Sequence, residues 1–370
     1  MEKKKKTILT YGGIFVGSIL VHWLLVYFSY RAQGSSDLGF FKFLYERFAN
    51  AGDASHYLNL AENGYPTADS PSANIIVFYP LYPWLVRLVQ VVVRNYFVAA
   101  LLVSQVTTGI ASIYMYKLLR LDYEEKRSLE ALVLFWFYPF AIFTFGVFSE
   151  GVFLMCTIMT LYYIRLHKWP VAGVIGCFAA LSRVQGMLLL APAIYEYITT
   201  SVDQKRRPKL SDLCMFGIPL GFVFYLILNK VKQGDCFIFL QHEAAEPWYQ
   251  TTKWINENLA QHYDMALQYP GLSYIIYWVQ IALYFIGIGA LLYGVKHVRT
   301  TYVVYGGIYM CMTYLSGWMI SGGRYMMGCI PLYLIYASVE KPFVRRLILA
   351  SSVMLMVFFS ICFMQGQAIM

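Results

Sequence analysis

Long apolar runs separated by short polar clusters recur from one end of the chain to the other. A bilayer crossing takes roughly 20 apolar residues in a helix, fewer where helices pack and tilt. Runs of that kind fall near 8–30, 97–118, 128–147, 150–166, 169–181, 184–200, 212–230, 272–294, 301–320, 325–339 and 344–364. The pattern therefore predicts an all-α polytopic membrane protein of about eleven transmembrane helices, with 1–370 as one membrane domain. The runs 169–181 and 184–200 are short and carry Pro170 and Pro192 near their ends. They predict a tilted or partly re-entrant pair, which is tolerated where protein or a cavity covers the irregular backbone.

The segment 77–95 nearly has the length of a span but contains Pro80, Pro83, Arg87 and Arg94. Charge decides its placement, because cytoplasmic loops carry the excess of Lys and Arg. If 77–95 stays outside, five basic clusters join Lys3–Lys6 in the cytoplasm: Lys117/Arg120/Lys126/Arg127, Arg165/Lys168, Lys205/Arg206/Arg207/Lys209, Lys296/Arg299 and Lys341/Arg345/Arg346. If it crosses, all five move outside. The segment thus reads as an amphipathic helix lying on, or dipping into, the outer face. Two large extracytoplasmic segments follow, 31–96 and 231–271, together with outer turns near Ser149–Glu150, Ser182–Arg183 and Ser321–Arg324. Soluble segments of that length between spans tend to be functional.

Composition agrees with the pattern: 59% hydrophobic, 13% charged and 18% aromatic residues, the last suiting two interfacial belts. The net charge of +9 is dispersed in loop clusters, which points to an anionic leaflet and not to nucleic acid. The seven cysteines fall almost entirely within apolar runs without metal-ligand spacing, so they read as small buried side chains. The lysine-rich N-terminus precedes a run too long for a signal peptide. Ala32 and Gly34 resemble a cleavage site only faintly, and the expectation is a retained first span with the N-terminus in the cytoplasm.

Against this background a few polar residues stand out. Asp53 can start a helix and Gly64 can end it, which puts Asp53, His56 and Tyr57 on one face. A plain helix cap would also explain Asp53. Phe78, Tyr79, Pro80, Leu81, Tyr82 and Pro83 predict a rigid extended lead into the interfacial helix, which an aromatic belt anchor would equally supply. Glu150 at a helix start is favoured by the dipole alone. Arg183 and Arg324 sit at outer helix ends, away from the cytoplasmic clusters. Burying an arginine at membrane depth costs roughly 2.5–3.5 kcal/mol, so each calls for a partner or an anionic ligand. Snorkelling, or an Arg183–Glu150 pair, would satisfy them without a ligand. His242, Glu243 and Glu246 are a weak pointer to an outer cavity wall.

Taken in order, Asp53, His56, Tyr57, Gly64–Tyr65, the 78–83 segment, Ser149–Glu150, Arg183 with Gly186, and Arg324–Tyr325 followed by Pro331 resemble the PIG-V-type mannosyltransferases and their bacterial relatives within the GT-C superfamily. The resemblance departs at Gly52, where the family usually has an aromatic, and at Tyr79, where phenylalanine is frequent. It implies a GT-C-like bundle and an inverting transfer of a hexose, mannose in the first instance. The donor implied is a polyprenyl-phosphate sugar, and the acceptor a glycan or glycolipid met on the extracytoplasmic side. A lipid phosphate leaves without a general acid, so one base and a few cations suffice. On this reading Asp53 is the base and Arg183, Arg324 and Tyr325 hold the donor phosphate. His56, Tyr57, Glu150, Tyr79, Tyr82 and His242 orient donor or acceptor. No metal site is assigned; a divalent metal at Asp53 and His56 is left open without being favoured. The absence of a retention signal favours a bacterial plasma membrane, and the oligomeric state is not legible. A lipid or solute transporter would need ionisable residues at the membrane midplane. A glycan ligase or polymerase of unrelated fold would use a base elsewhere, for instance near His242–Glu246, and a scaffold subunit would tolerate loss of Asp53.

Overall fold

The computed structural model describes residues 2–33, 39–203, 205, 207–317, 321–367 and 369, of which 2–10, 272 and 273 are described by backbone only. The Lys3–Lys6 side chains, Gly34 and Arg206 named above lie outside that description. Among the described residues the chain is helical, with one isolated bridge between Thr252 and Ser316.

The N-terminal part runs α1 (Glu2–Ala32), α2 (Phe40–Ala49), α3 (Ala54–Asn63), α4 (Leu81–Val93) and α5 (Tyr96–Leu119). It continues through α6 (Glu125–Trp136), α7 (Glu150–Arg165), α8 (Trp169–Ser182), α9 (Leu190–Asp203) and α10 (Leu220–Gln233). The C-terminal part comprises α11 (Ile238–Ala244), α12 (Ile255–Gln268), α13 (Pro270–Leu272), α14 (Trp278–His297), α15 (Thr300–Tyr314), α16 (Gly322–Met326), α17 (Pro331–Ser338) and α18 (Pro342–Met364).

Each predicted span contains helix, but few are single full-length helices; the run 301–320 is helical only to Tyr314, and its last residues, 318–320, lie outside the described residues. Among the described residues four helices are long and apolar enough to cross a membrane: Tyr11–Ala32, Tyr96–Leu119, Tyr274–His297 and Pro342–Met364. A fifth would be the pair Leu210–Gly217 and Leu220–Gln233, bent by 44°. The expected count of about eleven spans is therefore not reached by helices of that length. The expected span 128–147 is broken: α6 ends at Trp136, Pro139 follows, and the chain resumes as a 3₁₀ turn over Ala141–Thr144. The run 184–200 opens as a 3₁₀ turn over Val184–Leu189 before α9. The run 325–339 is split between α16 and α17, with Pro331 at the start of α17.

Along α7, Val152, Phe153, Leu154, Ile158, Leu161 and Ile164 are all nearly inaccessible, as expected for a helix enclosed by others. Small residues set how close its neighbours come. A Cβ at Gly151 would meet the Ser104 carbonyl of α5 at 2.5 Å, and one at Gly221 of α10 would collide with the Cys177 carbonyl of α8. Close backbone approach through small residues is how helices pack without a hydrophobic driving force.

The segment 77–95 yields the 13-residue α4, short of a full crossing. It packs Leu81, Tyr82, Pro83 and Val86 inward and exposes Leu88, Val91 and Val92. Arg87 does not face away. Its guanidinium donates to the carbonyls of Ala61 at 2.7 Å and Glu62 at 2.8 Å, which satisfies the last turn of α3. The preceding loop is tied down by tyrosines, with Tyr65 donating to Phe78 O at 2.6 Å and Tyr225 to Ile76 O at 2.9 Å, while Tyr82 joins α4 to α5 through Ala100 O at 3.2 Å.

Candidate active site

Helix α3 begins where the sequence places it, with Asp53 just ahead of Ala54, and it closes at Gly64, whose φ of 82° suits glycine. The cap explanation of Asp53 fails, however. Its carboxylate makes no capping hydrogen bond; Oδ2 instead accepts from Arg324 NH1 at 2.6 Å. Gly52, the departure from the aromatic of related sequences, has φ 47°, in the left-handed region that glycine occupies without strain.

Arg324 is 3% exposed and also pairs with Glu150 Oε1 through its Nε. The same oxygen receives Arg183 NH2. Arg183 Nε donates to Ser149 Oγ at 3.1 Å, and Ser149 Oγ bonds Tyr57 Oη at 2.9 Å. Two carboxylates and two guanidiniums thus form a charge-balanced knot built from α3, α7, α16 and the turn after α8. The Arg183–Glu150 pairing that needs no ligand is present, and Arg324 shares it. Such a knot compensates the cost of burying charge. It also lies on aromatic faces, with Arg324 over Phe148 at 4.8 Å and Arg183 over Tyr325 at 5.6 Å.

Among the described residues two atoms of the knot have no hydrogen-bond partner. Glu150 Oε2 is buried without one. Asp53 Oδ1 also has none among them, on a side chain that keeps 25% of its surface exposed. The exposure matters because Asp53 lines two cavities. One is polar, about 160 Å³, walled by Asp53, Tyr57, Tyr79, Arg183, Arg324 and Tyr325. The second, about 670 Å³, lies on the side of α2, His56 and the C-terminal residues. A third cavity of about 820 Å³ adjoins the polar one; its walls are largely apolar, including Leu188, Phe222, Phe237, Phe239, Ile308 and Leu315. Gln250 and Tyr325 line all three.

The structure brings Asp53, Tyr57, Tyr79, Arg183, Arg324 and Tyr325 around the polar cavity. His56 lies in the 670 Å³ cavity, stacked on Phe78 at 5.3 Å. Burial lowers its pKa, only partly opposed by the Asp53 charge. Glu150 is beneath the site, 2% exposed, and acts by holding the two arginines. Tyr82 and His242 differ from expectation. Tyr82 is fully buried, bonded to Ala100 O and Ser104 Oγ, and packs edge-on against Tyr57 without lining any of these three cavities. His242 turns to Gln233 Oε1 at 2.8 Å and lines none of the three cavities.

The next residue on α11 takes that place. Glu243 lines both the polar and the apolar cavity, and burial pushes its carboxyl up to about 7. Beside it Tyr79 stacks on Tyr225 at 4.1 Å, and its buried hydroxyl has no partner. Gln185, Trp248 and Gln250 complete the polar wall and were not singled out from sequence as site residues. Gln185 lies two residues after Arg183, and Trp248 and Gln250 follow Glu246 within four residues. Among the described residues no group of three or more His, Cys, Asp or Glu side chains is placed to hold a metal ion.

Comparison with known proteins bears on this arrangement. The family model described as dolichyl-phosphate-mannose-protein mannosyltransferase matches residues 71–231. The solved structure of ArnT from Cupriavidus metallidurans bound to undecaprenyl phosphate superposes with a TM-score of 0.54 at 12% identity, over 87% of this chain. This is a GT-C-fold membrane protein. The chain spans 59% of the length of the ArnT structure. No curated protein sequence matches it.

Proposed function

We propose that the protein is an inverting glycosyltransferase that moves a hexose, mannose in the first instance, from a polyprenyl phosphate to an acceptor hydroxyl on the extracytoplasmic side. The observation that carries this reading is the half-engaged Asp53 carboxylate: one oxygen held by Arg324, the other without a partner among the described residues, on a wall shared by two cavities. The apolar cavity beside the polar one suits the first isoprene units of a lipid donor, with its phosphate at Arg183 and Arg324. The family match and the undecaprenyl phosphate in the ArnT structure support the same donor class. The knot stands at one end of α7 and Arg165 at the other, about 22 Å away by helix rise. With the basic clusters in the cytoplasm, the site faces outward.

The chemistry follows from the charges. Asp53 Oδ1 takes the acceptor proton as the acceptor oxygen bonds the anomeric carbon and the bond to the phosphate oxygen breaks. The departing phosphate gains one negative charge. Protonated Asp53 loses its hold on Arg324 in the same step, so a guanidinium is released from one anion as another forms. Arg183, fixed by Ser149 and Glu150, supplies a second cation without moving. Attack from the side opposite the leaving phosphate inverts the anomeric centre. Burial keeps the Tyr57 hydroxyl protonated, able to donate to ligand or to Ser149.

The test is turnover by purified full-length protein with undecaprenyl-phosphate mannose and undecaprenyl-phosphate glucose, wild type beside Asp53→Asn. Sugar release or transfer by wild type and its loss in the variant are expected. Equal rates in the two would remove Asp53 as base, and no turnover or binding of any lipid-phosphate sugar would remove the reaction.

A further inference from the structure

Helix α12 has three distinct faces. Asn258, His262 and Ala266, at i, i+4 and i+8, are buried against the bundle. Glu257, Asp264 and Gln268 are exposed along a polar edge. Tyr263 and Leu267, four positions apart, are 50% and 62% exposed along a separate apolar edge. A helix lying wholly in water would carry polar residues there as well.

The surface beside that edge shows what covers it. Trp278, Phe285 and Leu292 of α14, at i, i+7 and i+14, share one face of the span Tyr274–His297, and all three are exposed. In a membrane that face meets lipid. The Tyr263 ring meets the Trp278 ring edge-on at 5.8 Å, so the apolar edge of α12 continues the lipid-facing stripe at the first turn of the span. Tyr274, 77% exposed, adds another aromatic at that end, and Trp and Tyr concentrate where bilayer meets water.

We propose that α12 lies on the bilayer surface on the side of the candidate site. Tyr263 and Leu267 enter the boundary between headgroups and acyl chains, and Glu257 and Asp264 stay in water. The partner is lipid without a requirement for anionic headgroups, because the polar edge carries two acids and no base. The expectation of a soluble segment over 231–271 then fails for α12. What the anchor holds is a wall of the apolar cavity. Asn258 Nδ2 donates to Tyr314 O at 2.8 Å and to Ser316 O at 3.0 Å. Just ahead of the helix, Lys253 N donates to Leu315 O at 2.9 Å and Gly317 N to Thr251 O at 2.5 Å. Thr251, Thr252, Leu315 and Ser316 of this clasp line the 820 Å³ cavity, so lipid contact at α12 fixes that wall.

The experiment places a bimane fluorophore on Leu267→Cys and, as the water-facing control, on Asp264→Cys. Each full-length variant is labelled in detergent and moved into phosphatidylcholine nanodiscs. Wild type, whose own Cys214 and Cys311 are exposed, supplies the background. With phosphatidylcholine brominated near the top of its acyl chains, quenching at 267 is expected to exceed that at 264 by about threefold or more. On unlabelled variants in nanodiscs, a membrane-impermeant maleimide should react about tenfold faster at 264 than at 267. Equal quenching or equal labelling at the two positions would overturn the proposal. So would a 267 probe shielded from maleimide yet unquenched by brominated lipid, since a protein surface would then cover the edge. Tyr263→Cys and Glu257→Cys form a second pair should the first not fold. Adding an equal share of phosphatidylglycerol is expected to leave the quenching unchanged, and a rise of about twofold would overturn the choice of partner. Turnover does not enter the readout, so the result is independent of the transferase reading.

Discussion

Two buried carboxylates, each gripped by arginine, sit at different places in the bundle, and their difference separates structure from site. Glu196 on α9 is closed. Arg299 donates to both its oxygens, at 3.0 and 2.7 Å, Thr301 adds a hydroxyl and His167 lies at 3.3 Å. None of the three cavities touches it. The knot of Asp53, Glu150, Arg183 and Arg324 is open. Glu150 carries both arginines on one oxygen and leaves the other bare, while Asp53 leaves an oxygen facing cavity space. A fully satisfied ion pair fixes helices, whereas an under-satisfied one beside a cavity holds chemistry in reserve.

The comparison can be broken in several ways. The largest effect is expected at Asp53. Asp53→Asn keeps the shape and removes the base, so transfer should fall by about 10²–10⁴-fold with the melting temperature little changed. A comparable fall in melting temperature would make the knot structural, like the Glu196 cluster. Arg324→Lys comes next. One ammonium cannot span Asp53 and Glu150 as the guanidinium does, and kcat should drop by about 10²-fold, measured at saturating donor. An unchanged kcat would reduce Arg324 to an anchor.

Glu196→Ala should act in the opposite sense. It leaves Arg299 unpaired, at a cost of about 2 kcal/mol once the partial exposure of Arg299 is discounted for solvent. Thermal unfolding in detergent should shift down by several degrees while turnover per folded molecule stays the same. Lost turnover without lost stability would place Glu196 in the mechanism.

The smallest effect is expected at Glu243. Its carboxyl titrates near 7 in the folded protein and lower when unfolded, because burial favours the neutral form. It is therefore neutral below that pH, and as pH rises through about 7 it becomes a negative charge beside the donor phosphate. Stability falls over the same rise, since the unfolded chain has already released that proton. Transfer should decline a few-fold across this window in wild type, and Glu243→Gln should lack the step. A profile with the same inflection in both proteins would assign the titration to another group.

Much of this was legible in the sequence because it is local. Apolar run length gave the membrane class, Asp53 and Gly64 bracketed α3, and the prolines and arginines of 77–95 marked a helix short of a full crossing. Composition and charge needed no partner to be read. The residues that line the cavities were partly legible, since a charge stranded at a helix end demands an explanation wherever the chain folds.

Tertiary structure decided the rest, because it depends on contacts between residues far apart in the chain. Arg324 meets Asp53 across 271 positions and Glu150 across 174, and no spacing rule spans such distances. The fracture of 128–147 and 325–339 is tolerated because neighbouring helices enclose the broken backbone. On α11 the choice between His242 and Glu243 came down to which face packs toward Tyr79, a matter of rotation that a short helix leaves to its neighbours. The sequence by itself determined which charges the membrane would not tolerate alone; only the fold decided that two of them would satisfy each other incompletely, at a wall between cavities.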